Sequence, residues 1–220
     1  YFDRSVKELY WRQNGKKFDN NSRQGDNPAL QISPTDNGLV SIIYVSKPSI
    51  IKYKDFSKFQ NFVMEKHSPS AVEIHKNLDF PLENFSEIYT RYSKALVGVG
   101  TSKGFDTENN LELELVALEN PYTDNMADGI EILALYNGNP RALSNLNVFE
   151  RSNTDSSVNT FVVKTNDKGV AVVEVKNDCT YLIDNVIIRP ANKKLFKDRG
   201  VIWESLWAAL TFSVIRSNGI

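Results

Sequence analysis

The chain has 220 residues and a formal net charge of −1, with 41% hydrophobic and 24% charged residues. These values are typical of a folded globular protein and exclude an intrinsically disordered one. Because the charges nearly cancel, we expect no basic surface for a phosphate backbone and no nucleic-acid binding. The apolar runs are much shorter than the roughly 20 residues of a membrane-spanning helix, so we expect no transmembrane segment.

The first part of the chain, residues 1–103, predicts a β module with a small helical insertion near 55–77. Residues 39–45 (LVSIIYV) are rich in β-branched side chains, as a buried strand is. The period then changes to that of a helix that Asp55 caps, with three apolar side chains on its buried face: Phe56, Phe59 and Val63. We expect this to be the one clear helix, with a short helical turn after it at residues 70–77.

The second part, residues 104–220, predicts an antiparallel β-sandwich of about seven strands. Short β-branched runs recur at intervals of about 8–12 residues, and each ends at Asn, Asp, Gly or Pro. Glu112 and Glu114 alternate with leucines, so we expect them to face solvent, and we expect residues 190–200 to form a polar loop. The side chains that we expect to be mostly buried are Ile130, Ile132, Val148, Val163, Val172, Leu182 and Phe212.

Four residues are candidates for metal binding. His67 and His75 are the two histidines, and together with the distant Cys179 they cannot build a site of three histidines or of two cysteines and two histidines for a soft divalent metal. A surface site of two histidines assisted by a carboxylate is the alternative to solvated loop histidines, which we favour. Asp124 and Asp128 either hold calcium through oxygen ligands or only form a turn. We therefore expect no cofactor, with nickel, cobalt and calcium as the alternatives.

Residue patterns for catalysis are weak. A Ser-His-Asp arrangement has only the two histidines to draw on, and no G-x-S-x-G motif occurs. Glu112 and Glu114 could pair for glycoside hydrolysis, but their alternation is that of a solvent-facing strand. We therefore do not expect an enzyme.

Residues 85–100 carry a candidate binding surface. Alternation along a strand places Tyr89 and Arg91 on one face, and Tyr92 and Lys94 on the other. Aromatic and cationic side chains together can bind sugars, anions or peptides. The alternative is that they hold the helix against the sandwich by binding backbone carbonyl groups.

A series of short motifs resembles a bacterial envelope family, the domain of unknown function 4198, which includes NikM-like proteins associated with nickel and cobalt uptake. The resemblance covers residues 38–215 and depends on the order of the motifs. The motifs are 41–49 (SIIYVSKPS), 56–62, 87–97 (EIYTRYSKALV), 118–122 (LENPY), 135–140 (LYNGNP), 165–170 (TNDKGV) and the closing LTFSV. Residues 138–143 and 165–169, with Tyr181, also resemble transthyretin-like and carboxypeptidase-regulatory-like sandwiches.

The resemblance implies two antiparallel immunoglobulin-like or transthyretin-like sandwich modules in a periplasmic or extracellular protein. It implies a non-catalytic binding or accessory role, linked to nickel or cobalt uptake. The alternative is a structural or assembly protein that contacts a protein partner, or itself, through strand edges.

One expectation concerns the edge of the first module. The family usually begins with a strand near a His-x-x-Trp sequence, which this chain lacks, so we expect the module to be incomplete at its start. An open edge beside residues 39–45 or 95–99 would be a template for another strand. We expect it to be filled by residues 6–11, by a neighbouring copy or by an upstream segment.

Overall fold

The structure, a computed structural model, describes residues 1–214 and is mainly β. Thirteen strands and three helices follow one another in the described residues. They are β1 (Val6–Gln13), β2 (Lys16–Asp19), β3 (Gly38–Ser46), β4 (Ser49–Asp55), α1 (Phe56–Glu65), α2 (Ser70–Asn77), β5 (Glu83–Val99), β6 (Leu113–Ala117), β7 (Ile130–Tyr136), β8 (Asn139–Pro140), β9 (Asn145–Ser152), β10 (Val158–Lys164), β11 (Val170–Val173), β12 (Cys179–Pro190), α3 (Lys193–Arg199) and β13 (Trp203–Val214). None of these helices has the length and apolar character needed to cross a membrane.

Two compact units divide the chain, and both are discontinuous in sequence. Within the described residues, unit 1 comprises 1–46, 92–185 and 208–214, and unit 2 comprises 47–91 and 186–207. A domain boundary near residue 103 stays a prediction, as do the immunoglobulin-like and transthyretin-like details of the fold.

The strands form an open β-sandwich of two sheets. The larger sheet has the strand order β10-β9-β12-β13-β5-β3-β1-β2, with β4 beside β5, and the smaller one has the order β11-β7-β6, with β8 beside β7. The pairings of β9 with β10 and β12, and of β7 with β6 and β11, are antiparallel. Large side chains from both sheets are fully buried and form the core: Ile43, Leu113, Leu115, Ile130, Ile132, Leu146, Ile183 and Phe212. The predicted sandwich is confirmed.

Four of the seven side chains that were predicted to be buried are buried in the structure: Ile130, Ile132, Val148 and Phe212. Val163 is half-buried. The prediction was wrong for Val172 and Leu182, which are 48% and 39% exposed. Their neighbours along the strands point inward instead, since successive side chains of a strand alternate between its two faces. The buried neighbours are Ala171, Val173, Tyr181 and Ile183.

The edge of β3 is filled by the chain's own first strand. β1 pairs antiparallel with β3, from Val6 opposite Ser46 to Gln13 opposite Val40. β5 pairs with the other side of β3. The expectation that residues 6–11 fill this edge is therefore confirmed.

Unit 2 contains the helices. α1 begins after Asp55, whose carboxylate accepts a hydrogen bond from the backbone N–H of Lys58, as predicted. Phe59 and Val63 are buried, and Phe56 is half-buried. α1 is not the one clear helix, because α2 is a second.

α3 replaces the predicted polar loop at residues 190–200. Its N-cap is Asn192, whose side chain accepts from the N–H of Leu195, and it ends at Gly200, which has a φ of 65°. Glycine reaches this left-handed conformation without the steric cost that a Cβ adds. An Asn and a Gly at this spacing are helix boundary signals that the sequence did show.

Replacing Asp55 with alanine is expected to lower the melting temperature by about 2–4 °C, because the first turn of α1 loses its side-chain acceptor. Asp55→Ser, which keeps an oxygen in the capping position, is the matched control and should melt close to the wild type. Thermal unfolding followed by circular dichroism measures both. Equal melting temperatures for the alanine and serine variants would contradict the capping role.

Candidate functional site

An open sheet face in unit 2 forms the candidate site. In the antiparallel pair of β4 and β5, Ile51 lies opposite Glu87 and Tyr53 lies opposite Phe85. At one end of this face Tyr53 and Phe85 pack with α1 in an aromatic core that also contains Trp203. The other end forms a groove of about 520 Å³ beside α1. We call it the unit 2 groove; its lining residues are Ile51, Lys52, Tyr53, Lys58, Phe62, Glu87, Tyr89, Arg91 and Trp207.

Aromatic rings and cations meet at the wall of the groove. The indole ring of Trp207 stacks on Phe62 with ring centroids 5.5 Å apart. The guanidinium carbon of Arg91 lies 5.3 Å from the centroid of the Tyr89 ring and 5.9 Å from that of Trp207. Lys66 Nζ lies 5.0 Å from the Trp207 centroid. Cations at these distances are attracted by the negative face of an aromatic ring, so the rings help to fix their positions.

A chain of hydrogen bonds supports the floor of the groove. The Tyr53 hydroxyl donates to Glu87 Oε2 at 2.8 Å, and the Ser205 hydroxyl donates to Glu87 Oε1. Trp207 Nε1–H donates to Ser205 Oγ at 2.9 Å, which orients the indole. Glu87 is only 2% exposed. Burial raises the pKa of its carboxyl group, although the bonds from Ser205 and Tyr53 oppose that rise.

The predicted binding surface is split between two environments. Tyr89 and Arg91 do line the unit 2 groove, with Tyr89 half-buried and Arg91 exposed. Tyr92 and Lys94 alternate to the opposite face, as the strand pattern indicated, but both are buried inside unit 1. The structure therefore brings together one half of the predicted surface and places the other half in a core.

Lys94 lies in a buried charged cluster of unit 1. Its Nζ is 3.0 Å from Asp106 Oδ2 and 2.9 Å from Glu114 Oε1, and each of the three side chains is at most 2% exposed. Glu114 also accepts from the backbone N–H of Asn109. The expectation that Glu114 faces solvent is wrong, because β6 is buried on both faces. Glu112 is half-buried and accepts from the Tyr92 hydroxyl at 3.2 Å.

The two histidines are not alike. His67 is exposed, whereas His75 is 0% exposed, so the expectation of solvated loop histidines is wrong for His75. Trp203 Nε1–H donates to His75 Nδ1 at 3.0 Å, and His75 Nε2 lies 3.1 Å from the carbonyl oxygen of Pro81. This arrangement fits a neutral imidazole that carries its proton on Nε2. Burial lowers the pKa of His75 below its ordinary value of 6.5.

The contribution of His75 to the free energy of unfolding is expected to fall as the pH drops below 6.5. Protonating Nδ1 would remove the acceptor for Trp203, and the folded pKa of His75 lies below its unfolded value. Below pH 6.5, His75 therefore binds a proton more readily in the unfolded chain than in the folded one. The stability that the neutral His75 side chain contributes is lost as the pH falls. Urea unfolding between about pH 8 and 5 measures it. His75→Gln should flatten this pH dependence, and His67→Gln should leave it unchanged; the same slope in both variants would contradict the assignment.

The acidic metal candidates lie in an exposed turn. Asp124 accepts from the backbone N–H of Asn120 at 2.8 Å and from the Thr123 hydroxyl at 3.0 Å. Asp128 is exposed as well. Within residues 1–214, no group of three or more His, Cys, Asp or Glu side chains is placed to hold a metal ion.

Several residues that line the groove or support it were missed from the sequence. Trp203, Ser205 and Trp207 alternate along β13, and this period of two could have placed them on one face. Lys52, Lys58 and Phe62 gave no such signal, because only the tertiary structure brings β4 and α1 beside β5.

Comparison with known proteins identifies a family. The family model described as Domain of unknown function (DUF4198) matches residues 4–188. No curated protein and no solved structure shows significant similarity to the chain.

Proposed function

The chain belongs to the family described as Domain of unknown function (DUF4198), and on this basis we propose that it is a non-catalytic binding or accessory module of the bacterial envelope, periplasmic or extracellular. The observation that carries the proposal is the unit 2 groove. Its volume falls in the range of about 300–1,000 Å³ that is usual for small-molecule sites. Rings and charged groups converge on it, and hydrogen bonds hold its floor in place.

Binding in the groove can be tested through Trp207. The chain has three tryptophans, and NMR resolves their indole N–H signals, which Trp→Phe variants assign. We expect at least one member of a panel of neutral, acidic and basic trisaccharides and tripeptides to shift the Trp207 signal while leaving Trp11 and Trp203 in place. If no member of the panel moves Trp207, the binding proposal fails.

The link to nickel or cobalt uptake is supported by the family resemblance alone. Calorimetric titration with nickel and cobalt salts tests it directly. If micromolar affinity is lost in only one of the two variants His67→Gln and His75→Gln, the metal binds at the histidine that this variant replaces. If the titration gives no measurable heat of binding, the link to nickel or cobalt uptake fails, and the binding of an organic ligand remains proposed.

The alternative function is assembly through a strand edge. β10 lies at one end of the larger sheet's order, and its sequence up to Val163 carries no charge. Val158 and Val162 on this strand are 59% and 44% exposed. Native edge strands are usually protected from pairing by lysine, proline or a bulge. Between Val158 and Val163, β10 contains neither lysine nor proline, which favours contact with another chain.

Sedimentation velocity separates the alternatives. Assembly through β10 predicts a sedimentation coefficient that rises with concentration, and Val162→Lys should abolish the rise. Val97→Lys is the control, because Val97 is equally exposed but lies on β5, inside the sheet order. If the protein stays monomeric at every concentration, assembly through β10 is contradicted and binding in the groove remains as the proposed function.

A further inference from the structure

We propose that the buried lysine of unit 1, Lys94, forms an amide bond with the side chain of Asp106, and that Glu114 moves the proton that this reaction requires. The bond joins β5 to the segment that leads into β6, and its formation releases one water molecule. This inference concerns unit 1 and does not depend on the unit 2 groove or on any ligand that binds there.

The geometry of the buried cluster suits a condensation between amine and carboxyl groups. Lys94 Nζ lies 3.1 Å from Asp106 Oδ1 and 3.0 Å from Asp106 Oδ2. Because these two distances are nearly equal, the nitrogen faces the carboxyl carbon that lies between the two oxygens. Reacting atoms held about 3–3.5 Å apart are in near-attack geometry, and placement of this kind is equivalent to an effective concentration of about 10⁵–10⁸ M.

The hydrogen bonds around Nζ suit a neutral amine. Nζ lies 2.9 Å from Glu114 Oε1 and donates to the carbonyl oxygen of Thr107 at 3.1 Å. A neutral amine has two N–H groups, and these two acceptors take both, so its lone pair is left for the carboxyl carbon of Asp106. The amine becomes neutral when the ammonium group gives its third proton to Asp106. Burial raises the pKa of that carboxyl group, although Lys94 opposes the rise, and the raised pKa favours this transfer.

Backbone donors activate the carboxyl group of Asp106. The N–H of Thr107 donates to Oδ1 at 2.8 Å, and the N–H of Ala117 donates to Oδ2 at 3.1 Å. When the C–N bond forms, negative charge develops on one of these oxygens. A donor that is already in place stabilises this charge, as in an oxyanion hole. The other oxygen carries the proton and departs.

Glu114 completes the reaction by moving one proton. As Nζ attacks, the nitrogen becomes positively charged, and Glu114 accepts one of its protons. Glu114 then gives this proton to the hydroxyl group on Asp106, whose C–O bond breaks as water leaves. Glu114 is unchanged at the end, and the step needs no oxidant, reductant or other reactant. The backbone N–H groups of Asn109 and Leu111 donate to Glu114 at 2.9 Å and 3.3 Å and hold its carboxylate in position.

Burial separates this cluster from an ordinary lysine–carboxylate pair. The side chains of Lys94, Asp106 and Glu114 are each at most 2% exposed, so little water reaches the reacting carbon or hydrolyses the amide. Lys176 and Glu150 form a closer pair in the same unit, with Nζ 2.7 Å from Oε1, but the Lys176 side chain is 69% exposed. This second pair is the internal control, because contact alone would link it as well.

Intact mass spectrometry under denaturing conditions tests the proposal, since an ion pair dissociates when the chain unfolds and a covalent bond does not. After overnight incubation at neutral pH, the purified chain is expected to be lighter than its sequence by the mass of one water molecule. Trypsin should then leave residues 92–103 joined to residues 104–141, with no cleavage after Lys94. Asp106→Asn should form the same bond with loss of ammonia in place of water. Glu114→Gln should keep its full mass.

The measurement on the wild type does not depend on whether any variant folds. If the wild-type chain keeps the full mass of its sequence, no bond forms, and Lys94 and Asp106 are an ion pair only. A loss of water that maps to Lys176 and Glu150, or that persists in Lys94→Arg, would also overturn the inference. A bond that forms in Glu114→Gln as fast as in the wild type would refute the role of Glu114.

Discussion

Replacing Lys94 with methionine is expected to lower the free energy of unfolding by about 3–5 kcal/mol, because it leaves buried acidic groups without their cation. Lys94 Nζ contacts both carboxylate oxygens of Asp106 at 3.0–3.1 Å and Glu114 at 2.9 Å. The backbone N–H groups of Thr107 and Ala117 also donate to Asp106, which fixes the carboxylate in place. It therefore cannot turn toward water when the cation is removed. Urea denaturation at pH 7 measures the loss.

The deficit of this variant is expected to shrink as the pH falls from about 7 toward 4. Burial already raises the pKa of Asp106, and loss of Lys94 would raise it further. A carboxyl group whose folded pKa exceeds its unfolded value is protonated first in the folded state, so stability rises as the pH falls. Lys164→Met, on an exposed side chain of the same unit, is the control and should cost little. A deficit that does not change with pH would mean that lost packing, and not an unpaired charge, causes it.

Replacing Phe59 with alanine is the second large effect, with an expected loss of about 3–5 kcal/mol. The Phe59 side chain is 0% exposed. Its ring centroid lies 4.8 Å from that of Trp203, 5.4 Å from Tyr53 and 5.6 Å from Phe85. Truncation would open a cavity among rings that cannot all move into it, so the transfer and cavity contributions add. Denaturant unfolding followed by circular dichroism gives the value.

Phe62→Ala is the matched variant, one turn further along α1. Phe62 is only half-buried and stacks on Trp207 at the edge of the groove. We expect its cost in stability to be well under half that of Phe59→Ala, while the Trp207 indole signal shifts. Equal losses for the two variants would contradict the assignment of Phe59 to the core and Phe62 to the groove.

Local signals in the sequence were sufficient for α1 and for the sandwich. The Asp55 cap and the spacing of Phe59 and Val63 depend on neighbours within one helical turn, and both are confirmed. Burial register in β11 and β12 was not predictable in the same way. The runs around Val172 and Leu182 are apolar on both faces, so the choice between faces depends on cross-strand partners. Ala171 pairs with Ile132, and Ile183 pairs with Val148; these pairings bring them into the core.

The candidate site was only half predictable for a related reason. Alternation correctly separated Tyr89 and Arg91 from Tyr92 and Lys94. It could not show which face would be open, because Lys94 is buried only when Asp106 and Glu114 come from elsewhere in the chain to pair with it. His75 shows the same limit: a polar residue is fully buried because Trp203 supplies a hydrogen bond across 128 residues.

That long separation has a consequence for how the protein is made. Unit 2 joins residues 47–91 to residues 186–207, and its polar contacts span 118 residues from Glu87 to Ser205 and 128 from His75 to Trp203. A ribosome adds about 5–20 residues per second, so roughly 7–29 s pass between synthesis of Phe59 in α1 and synthesis of Trp203, 144 residues later. During that interval Phe59 and its neighbours lack part of their core. The nascent chain thus presents an uncovered aromatic helix face, which is the kind of surface that chaperones bind and that promotes aggregation.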